Sequence, residues 1–488
     1  MPDWTSLPAE ARLLILEFLA QDVGNKTANT AQGRRRKPGL APYATVCIEW
    51  LEFIEKRNFH RLKLKSSCLY SLGNLGVRQR KLVKHIQFCV ELGTYTCRDC
   101  STSQPVAIYT YNGNITKRAI RQLLRTLRTW DNDIDQIDEG LTLELSVYSP
   151  SDSHHAFRNY NHDLGAWGRA WEIHDPRHGW IHGQRVSNPR IEHISQVYGL
   201  LETNFRSYLP EVKVVTKLLV LRQTRCYLSF ETMCHILEGL PRLRHFHYEM
   251  WRRIGGGNQE ITDQEKEMIL LFHLPGTLRT LTLFEDTNED INKACASRYL
   301  LFPSRKREPQ EFLGEECART SLHLQQISAS FLVDAQHFFQ AVQPGWVWNN
   351  LESLALTSQL LTPSADPDET NDMFFAAGVA ATRMPKLRLM EIWYGAKGFA
   401  GVFRYNRVSA HVSKITWDGS WNLGLQPHVA QAWVDVALTH TGFEPFWLQT
   451  RHQDEDTIRC HGSAIERLGL MAGVVSPVSL EQMQREVI

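Results

Sequence analysis

Residues Ser229–Tyr248 read SFETMCHILEGLPRLRHFHY, and this stretch decides the fold. Its first half is a helical segment. Pro241 stops that segment, and two residues later Leu243-x-x-Phe246-x-Tyr248 begins with strand-like spacing. The hydrophobic period therefore switches from helical to extended across a proline. The same switch recurs in TDQEKEMILLFHLPGTL, where Pro275 precedes Leu278, and in DETNDMFFAAGVAATRMPKL, where Pro385 precedes Leu387.

Working outward, the three-position apolar pattern appears as VTKLLV from Val215, LRHFHY from Leu243 and LRTLTL from Leu278. It returns as LQQISA from Leu324, LESLAL from Leu351, LRLMEI from Leu387 and VSKITW from Val412. FHRLKL from Phe59, VKHIQF from Val83 and LTLELSVYSP from Leu141 read as further strands. A repeating helix, proline turn and short strand is the physical content of a leucine-rich-repeat array. Successive starts from Val215 lie 28, 35, 46, 27, 36 and 25 residues apart, so three of the six fit a repeat of ~20–29 residues and the array is irregular. The expectation is an α/β fold with a curved parallel sheet backed by helices.

The N-terminus is of a different kind. SLPAEARLLILEFLA, Ser6–Ala20, reads as an apolar helix with Ser6 as cap and Pro8 in its first turn. Leu7, Ala11, Leu14, Ile15, Phe18 and Leu19 form one stripe at helical spacing, while Leu13 and Leu16 fall outside it. Asp3, Glu10, Arg12 and Glu17 argue against a signal peptide, and the run is too short and too charged to span a bilayer. Gln21–Pro38 reads as a polar loop. APYATVCIEWLEFIEKRNFHRLKL then reads as a second amphipathic helix with Val46, Trp50, Phe53 and Ile54 on one face. So small a unit buries little alone and leans on a partner, on the following domain, or on both.

LPAEARLLIL followed by YATVCIEWLEFIE resembles an F-box, a short helical module that binds the Skp-type adaptor of a cullin ubiquitin ligase. The matching positions, and hence the adaptor-binding residues that the resemblance implies, are Leu7, Pro8, Glu10, Ala11, Ile15, Leu16, Val46 and Trp50. Two features depart from the usual pattern: Ala11 stands where a larger apolar residue is usual, and the Gln21–Pro38 connection is long. SPSDSHHAFRNY, HDPRHGW, RMPKLRLMEIWYG and VFRY are similar to stretches of uncharacterised filamentous-fungal F-box proteins. The implied organisation is a helical F-box module over 1–62 and an irregular leucine-rich-repeat-like α/β solenoid over 63–450. That array carries an inserted loop region at about 151–190, and 451–488 reads as a C-terminal tail. The implied function is substrate recognition within an SCF-type ligase. Its partners would be the Skp-type adaptor, a cullin through it, and a protein target. The alternative is a repeat scaffold outside any ligase, with the helix pair as its N-terminal cap.

Composition narrows the classes further. The chain has 488 residues, of which 54 are Lys or Arg and 53 are Asp or Glu, for a net charge of +1. That balance gives no basic excess for nucleic acid. Ten scattered cysteines read as reduced thiols of a cytoplasmic or nuclear protein. No membrane segment, cofactor, catalytic residue or metal ligand set is assigned. His174, His178 and His182, with His154, His155 and His162 upstream, would face one way on a helix, but Pro176, Gly179 and Gly183 interrupt any such helix. They read as loop histidines. Cys97-x-x-Cys100, near Cys89 and His85, has no second pair at zinc-finger distance and reads as two thiols. Gly255–Gly257 lacks the Lys-Ser/Thr of a phosphate loop, and Arg34–Lys37 is a loop run or an import signal. Trp393, Trp417, Trp421 and Trp433 read as core. Trp346 and Trp348 lie in a connecting turn, as core or as a partner anchor.

Overall fold

The computed structural model describes residues 4–28, 39–102, 105–132, 140–158, 173–203, 205, 208–252, 273–288, 291, 310–451 and 457–485. Its centre is one twelve-stranded sheet: β1 Arg61–Lys65, β2 His85–Glu91, β3 Leu141–Tyr148, β4 Val215–Val220, β5 His245–Trp251, β6 Thr280–Asp286, β7 Gln326–Asp334, β8 Ser353–Thr357, β9 Leu389–Ala396, β10 Phe399–Arg407, β11 Ser413–Gly419 and β12 Phe446–Arg451. Strand order in the sheet is chain order. Pairing is parallel from β1 to β9, antiparallel for β9–β10 and β10–β11, and parallel again for β11–β12.

All ten stretches expected to be strands are strands of this sheet. The two that were not anticipated, β10 and β12, lie at its antiparallel end and its far edge. The register explains why the leucine pattern reports strands so well. Phe246 of β5 pairs with Leu281, Leu281 with Ile327, Ile327 with Leu354, and Leu354 with Met390. Every one of these side chains is at most 2% exposed. One apolar rung thus crosses the sheet at constant height and packs on the connecting helices, each side chain contributing roughly 1.5–3 kcal/mol. A parallel strand requires a crossover, and crossovers of one hand that always step to the next position fall on one face.

The helix Phe230–Glu238 begins at Ser229, whose hydroxyl accepts from Thr232 N, and Asp366 likewise caps Pro367–Ala381. Between β6 and β7 the helix Glu311–Ser321 buries Leu313, Cys317 and Ala318. Charged residues fill its outward side and hide the period.

The second face of the sheet is closed by the C-terminal segment. Helices His461–Leu468 and Pro477–Arg485 bring Ile465, Leu468 and Met483 onto Phe284, Ala355, Trp393 and Val402. The stretch read as a tail is therefore packed structure. Gly395 of β9 is needed there, because a Cβ on it would lie 2.3 Å from the Ala464 Cβ. At a register break in β7, Phe331 takes φ of +64° and turns its ring toward Trp393 and His461. Beside this core lies a buried polar cluster. Arg222 Nε donates to Asp286 Oδ2 at 2.5 Å, with the guanidinium 4.6 Å from the Trp251 ring. Glu249 accepts from Ser476 N at 2.7 Å and from the Ser479 hydroxyl. Glu391 accepts from Arg404 at 2.6 Å and from Ala472 N at 2.9 Å.

Trp348 is fully buried and donates Nε1–H to Ser321 Oγ at 2.7 Å, so it belongs to the core, as do Trp393, Trp417 and Trp433. Trp346 is half-buried beside it. Among the described residues no helix is long and apolar enough to cross a membrane. Arg34–Lys37, Gly255–Gly257, His162 and residues 262–272 of the helical segment before Pro275 lie outside the described residues.

Candidate functional site

The N-terminal module is built from α1 Ala9–Ala28, a 3-10 turn Ala41–Thr45 and α2 Ile48–His60. α1 starts one residue after Pro8, with Arg12 N bonded to Pro8 O at 3.1 Å; Ser6 lies in an earlier 3-10 turn and does not occupy the cap position. α1 also continues past Gln21, where the sequence reads as loop.

The module's own core is small: Leu16, Ala20, Leu40 and Ile54. Leu16 is 2% exposed, so it faces inward and not toward a partner. Arg12, Leu16 and Ala20 stack along one side of α1 at four-residue spacing. The opposite side carries Leu14 (53% exposed), Ile15 (41%) and Phe18 (67%), with Leu13 on the flank. Val46 and Ile48, at the entry to α2, are exposed as well. Half of the stripe picked from the sequence, Leu14, Ile15 and Phe18, is therefore outward, Leu19 packs on the core, and of the two residues outside the stripe Leu16 is buried and Leu13 exposed. Leu7 and Ala11 are half-buried, and Pro8 and Glu10 exposed. Trp50 is half-buried, its ring 5.3 Å from that of Trp4 and 6.4 Å from that of Tyr43.

Glu49, which the sequence reading passed over, joins the two helices. It accepts from Trp4 Nε1 at 2.8 Å and from Arg12 Nε at 3.0 Å, and these two bonds hold its carboxyl below the ordinary value. Arg12 also donates to Leu7 O at 2.8 Å. The spacing of Arg12 and Glu49, 37 residues apart across a loop, carries no local signal. α2 runs directly into β1, the edge strand, and Glu55 pairs with Arg78 at 2.8 Å.

A second constellation lies where β2 and β3 end. Cys97 and Cys100 sit in a turn held by Asp99, which accepts from Thr96 N and Oγ1. His155 Nδ1 is 3.5 Å from Cys97 Sγ. His178 Nε2 and His193 Nε2 are 3.5 and 3.6 Å from Cys100 Sγ. His178, from a 3-10 turn, is the member of the spaced histidines that reaches the cysteines; His174 and His182 are exposed and stack on each other instead. His85 pairs with Glu144 at 2.8 Å, and Cys89 is buried in β2. Burial lowers the His155 pKa and drives that of His193 down to about 4, and it raises that of the Cys100 thiol. The signal in the sequence was the Cys-x-x-Cys together with a histidine-rich insertion. Neither shows that the two meet.

Beside the turn is a cavity of about 210 Å³ between the ends of β2 and β3, lined by Ile108, Tyr111, Val147 and Gln196 with Tyr95 and Asp152 at its polar end. Burial raises the Asp152 carboxyl to about 6. Tyr95 donates to it at 3.0 Å.

Fold and site together define a mixed α/β protein on one long, mostly parallel sheet with a two-helix module at its first edge. A family model described as "Family of unknown function (DUF6546)" matches residues 273–476, from the turn before β6 to just before the last helix. The match does not reach the N-terminal module or the Cys-His cluster. No curated protein matches the chain, and no solved structure does.

Proposed function

We propose that the chain is the substrate-recognition subunit of an SCF-type cullin ubiquitin ligase. The outward face of α1 and the entry to α2 dock a Skp-type adaptor, and an irregular leucine-rich-repeat-like solenoid holds a protein target. The observation that carries this reading is that Leu14, Ile15 and Phe18 are exposed while Leu16, Ala20, Leu40 and Ile54 close the module's core behind them. A helix whose apolar residues outnumber its own core needs leaves them for a partner. The F-box resemblance names that partner. Support for the solenoid comes from strand order that follows chain order and from the apolar rung of β5–β9. The protein does no covalent chemistry in this reading. It accelerates transfer by holding target and charged enzyme together, in the cytoplasm or nucleus.

One observation favours the scaffold reading: α2 continues without a break into the edge strand β1, as a cap does. The full chain, mixed with a purified Skp-type adaptor and followed by calorimetry, separates the two. The ligase reading expects a stoichiometric complex that Leu14→Asp with Phe18→Asp abolishes while the melting temperature holds. A folded chain that does not bind, or a double variant that binds equally well, leaves the scaffold.

A further inference from the structure

Cys97 and Cys100, His155, His178 and His193 come from four separate segments and meet in two groups that share His178. The ligand atoms of Cys97, His155 and His178 lie within 4.8 Å of one another, and so do those of Cys100, His178 and His193. His178 belongs to both groups. Cys100, His155, His178 and His193 are each at most 8% exposed. A buried and a half-buried thiol with two or more imidazoles form the donor set of a closed, four-coordinate zinc site. With Zn–S near 2.3 Å and Zn–N near 2.05 Å, a tetrahedral ion places sulfur and nitrogen about 3.5 Å apart. Cys97–His155 and Cys100–His178 each show a sulfur–nitrogen distance of 3.5 Å.

The outer hydrogen bonds select four of the five donors. His178 Nδ1 meets Asp175 Oδ2 at 2.7 Å, which places the ring proton on Nδ1 and leaves the Nε2 lone pair for a metal. Asp175 is itself held by Arg158 at 2.9 Å. The His155 ring hydrogen-bonds the Tyr95 main chain, and Nδ1 faces Cys97. His193 differs. Its Nδ1 accepts the Arg190 backbone N–H at 3.2 Å, so a neutral ring carries its proton on Nε2, toward Cys100 sulfur. His193 is therefore an N–H donor to the Cys100 sulfur and not a ligand.

We propose that Cys97, Cys100, His155 and His178 bind one structural zinc ion, with Asp175 and His193 as outer partners. Binding releases the two thiol protons to solvent and leaves a neutral centre of two thiolates and two imidazoles. All four positions are taken by protein, so the ion braces and does not catalyse. It ties the insertion, whose described residues Ala156 and Phe157 pack with Ile194, Val197, Tyr198 and Trp251, to the turn that follows β2.

The test is the metal content of the full chain purified under reducing conditions without added metal. One zinc per chain is expected. Cys100→Ser and His178→Ala should each abolish it, whereas Cys47→Ser, at an exposed thiol outside the cluster, should retain it. His193→Ala should keep the stoichiometry and weaken zinc by roughly 10–100-fold in a chelator competition. If the ligand variants do not fold, the wild-type chain decides alone: exchange with Co²⁺ should give the visible spectrum of a tetrahedral S₂N₂ site, and chelation should lower the melting temperature. A folded wild-type chain that neither carries zinc nor takes up Co²⁺ overturns the proposal. So does a Cys97–Cys100 disulfide found by mass spectrometry of the non-reduced protein.

Discussion

Replacing Asp286 by Asn is the most exposing test of how the C-terminal segment is held. The Asp286 side chain is 0% and that of Arg222 1% exposed, and the two meet at 2.5 Å. Burial pushes the Asp286 carboxyl up, but the Arg222 guanidinium and His461, at 2.8 Å, hold it below the ordinary value. Asn keeps the shape and removes the charge. The guanidinium then stays buried without its carboxylate, which costs about 3–4 kcal/mol. Urea unfolding at neutral pH, followed by tryptophan fluorescence, should show that loss. Hydrogen exchange should show it first in the helices His461–Leu468 and Pro477–Arg485, which dock there. Replacing both partners, Arg222→Met with Asp286→Leu, should recover most of the loss, because neither member of the pair is left as an uncompensated charge. The sign in pH follows from the lowered native value: the contribution is full above the unfolded carboxylate pKa of about 4 and is lost as pH falls through the native one. A cost below about 1 kcal/mol for Asp286→Asn, or a double variant no more stable than the single one, refutes the reasoning.

The N-terminal module should separate inward from outward residues: Leu16→Ala should cost about 2–4 kcal/mol in unfolding of the module, and Phe18→Asp less than about 0.5, measured by thermal melts of the full chain. A second pH effect comes from His440, which burial and the nearby Arg407 push down to about 4 and whose Nδ1 is 2.9 Å from the Tyr405 hydroxyl. The unfolded chain binds a proton at this site between about pH 6.5 and 4 while the native chain does not, so stability falls as pH drops through that window. Discounted for partial exposure, the effect is about 1–2 kcal/mol, and His440→Gln should flatten the slope of melting temperature against pH.

The parts of this protein legible in its sequence are those governed by local periodicity. Leu281, Ile327, Leu354 and Met390 announce their strands because each is one position of a short alternating pattern, and those of Leu281 and Met390 also follow a helical segment and a proline. β10 and β12 escaped: β10 returns through a tight hairpin with no preceding helix, and every residue of β12 is exposed, so no one-sided pattern marks it. The greasy character of α1 was equally plain, but its two sides were not. Whether Leu16 or Phe18 faces inward depends on what lies across the module, and there Ile54 and Leu40 decide.

Only the tertiary structure could pair Arg12 with Glu49, Arg222 with Asp286, or Cys100 with His178, at separations of 37, 64 and 78 residues. Such pairs are set by which elements become neighbours, and a chain read one residue at a time carries no record of that distance. Periodicity arises from the backbone's own geometry and survives in sequence. A buried charge pair or a convergent set of thiols and imidazoles arises from closure of the sheet, and it becomes visible only once the sheet is built.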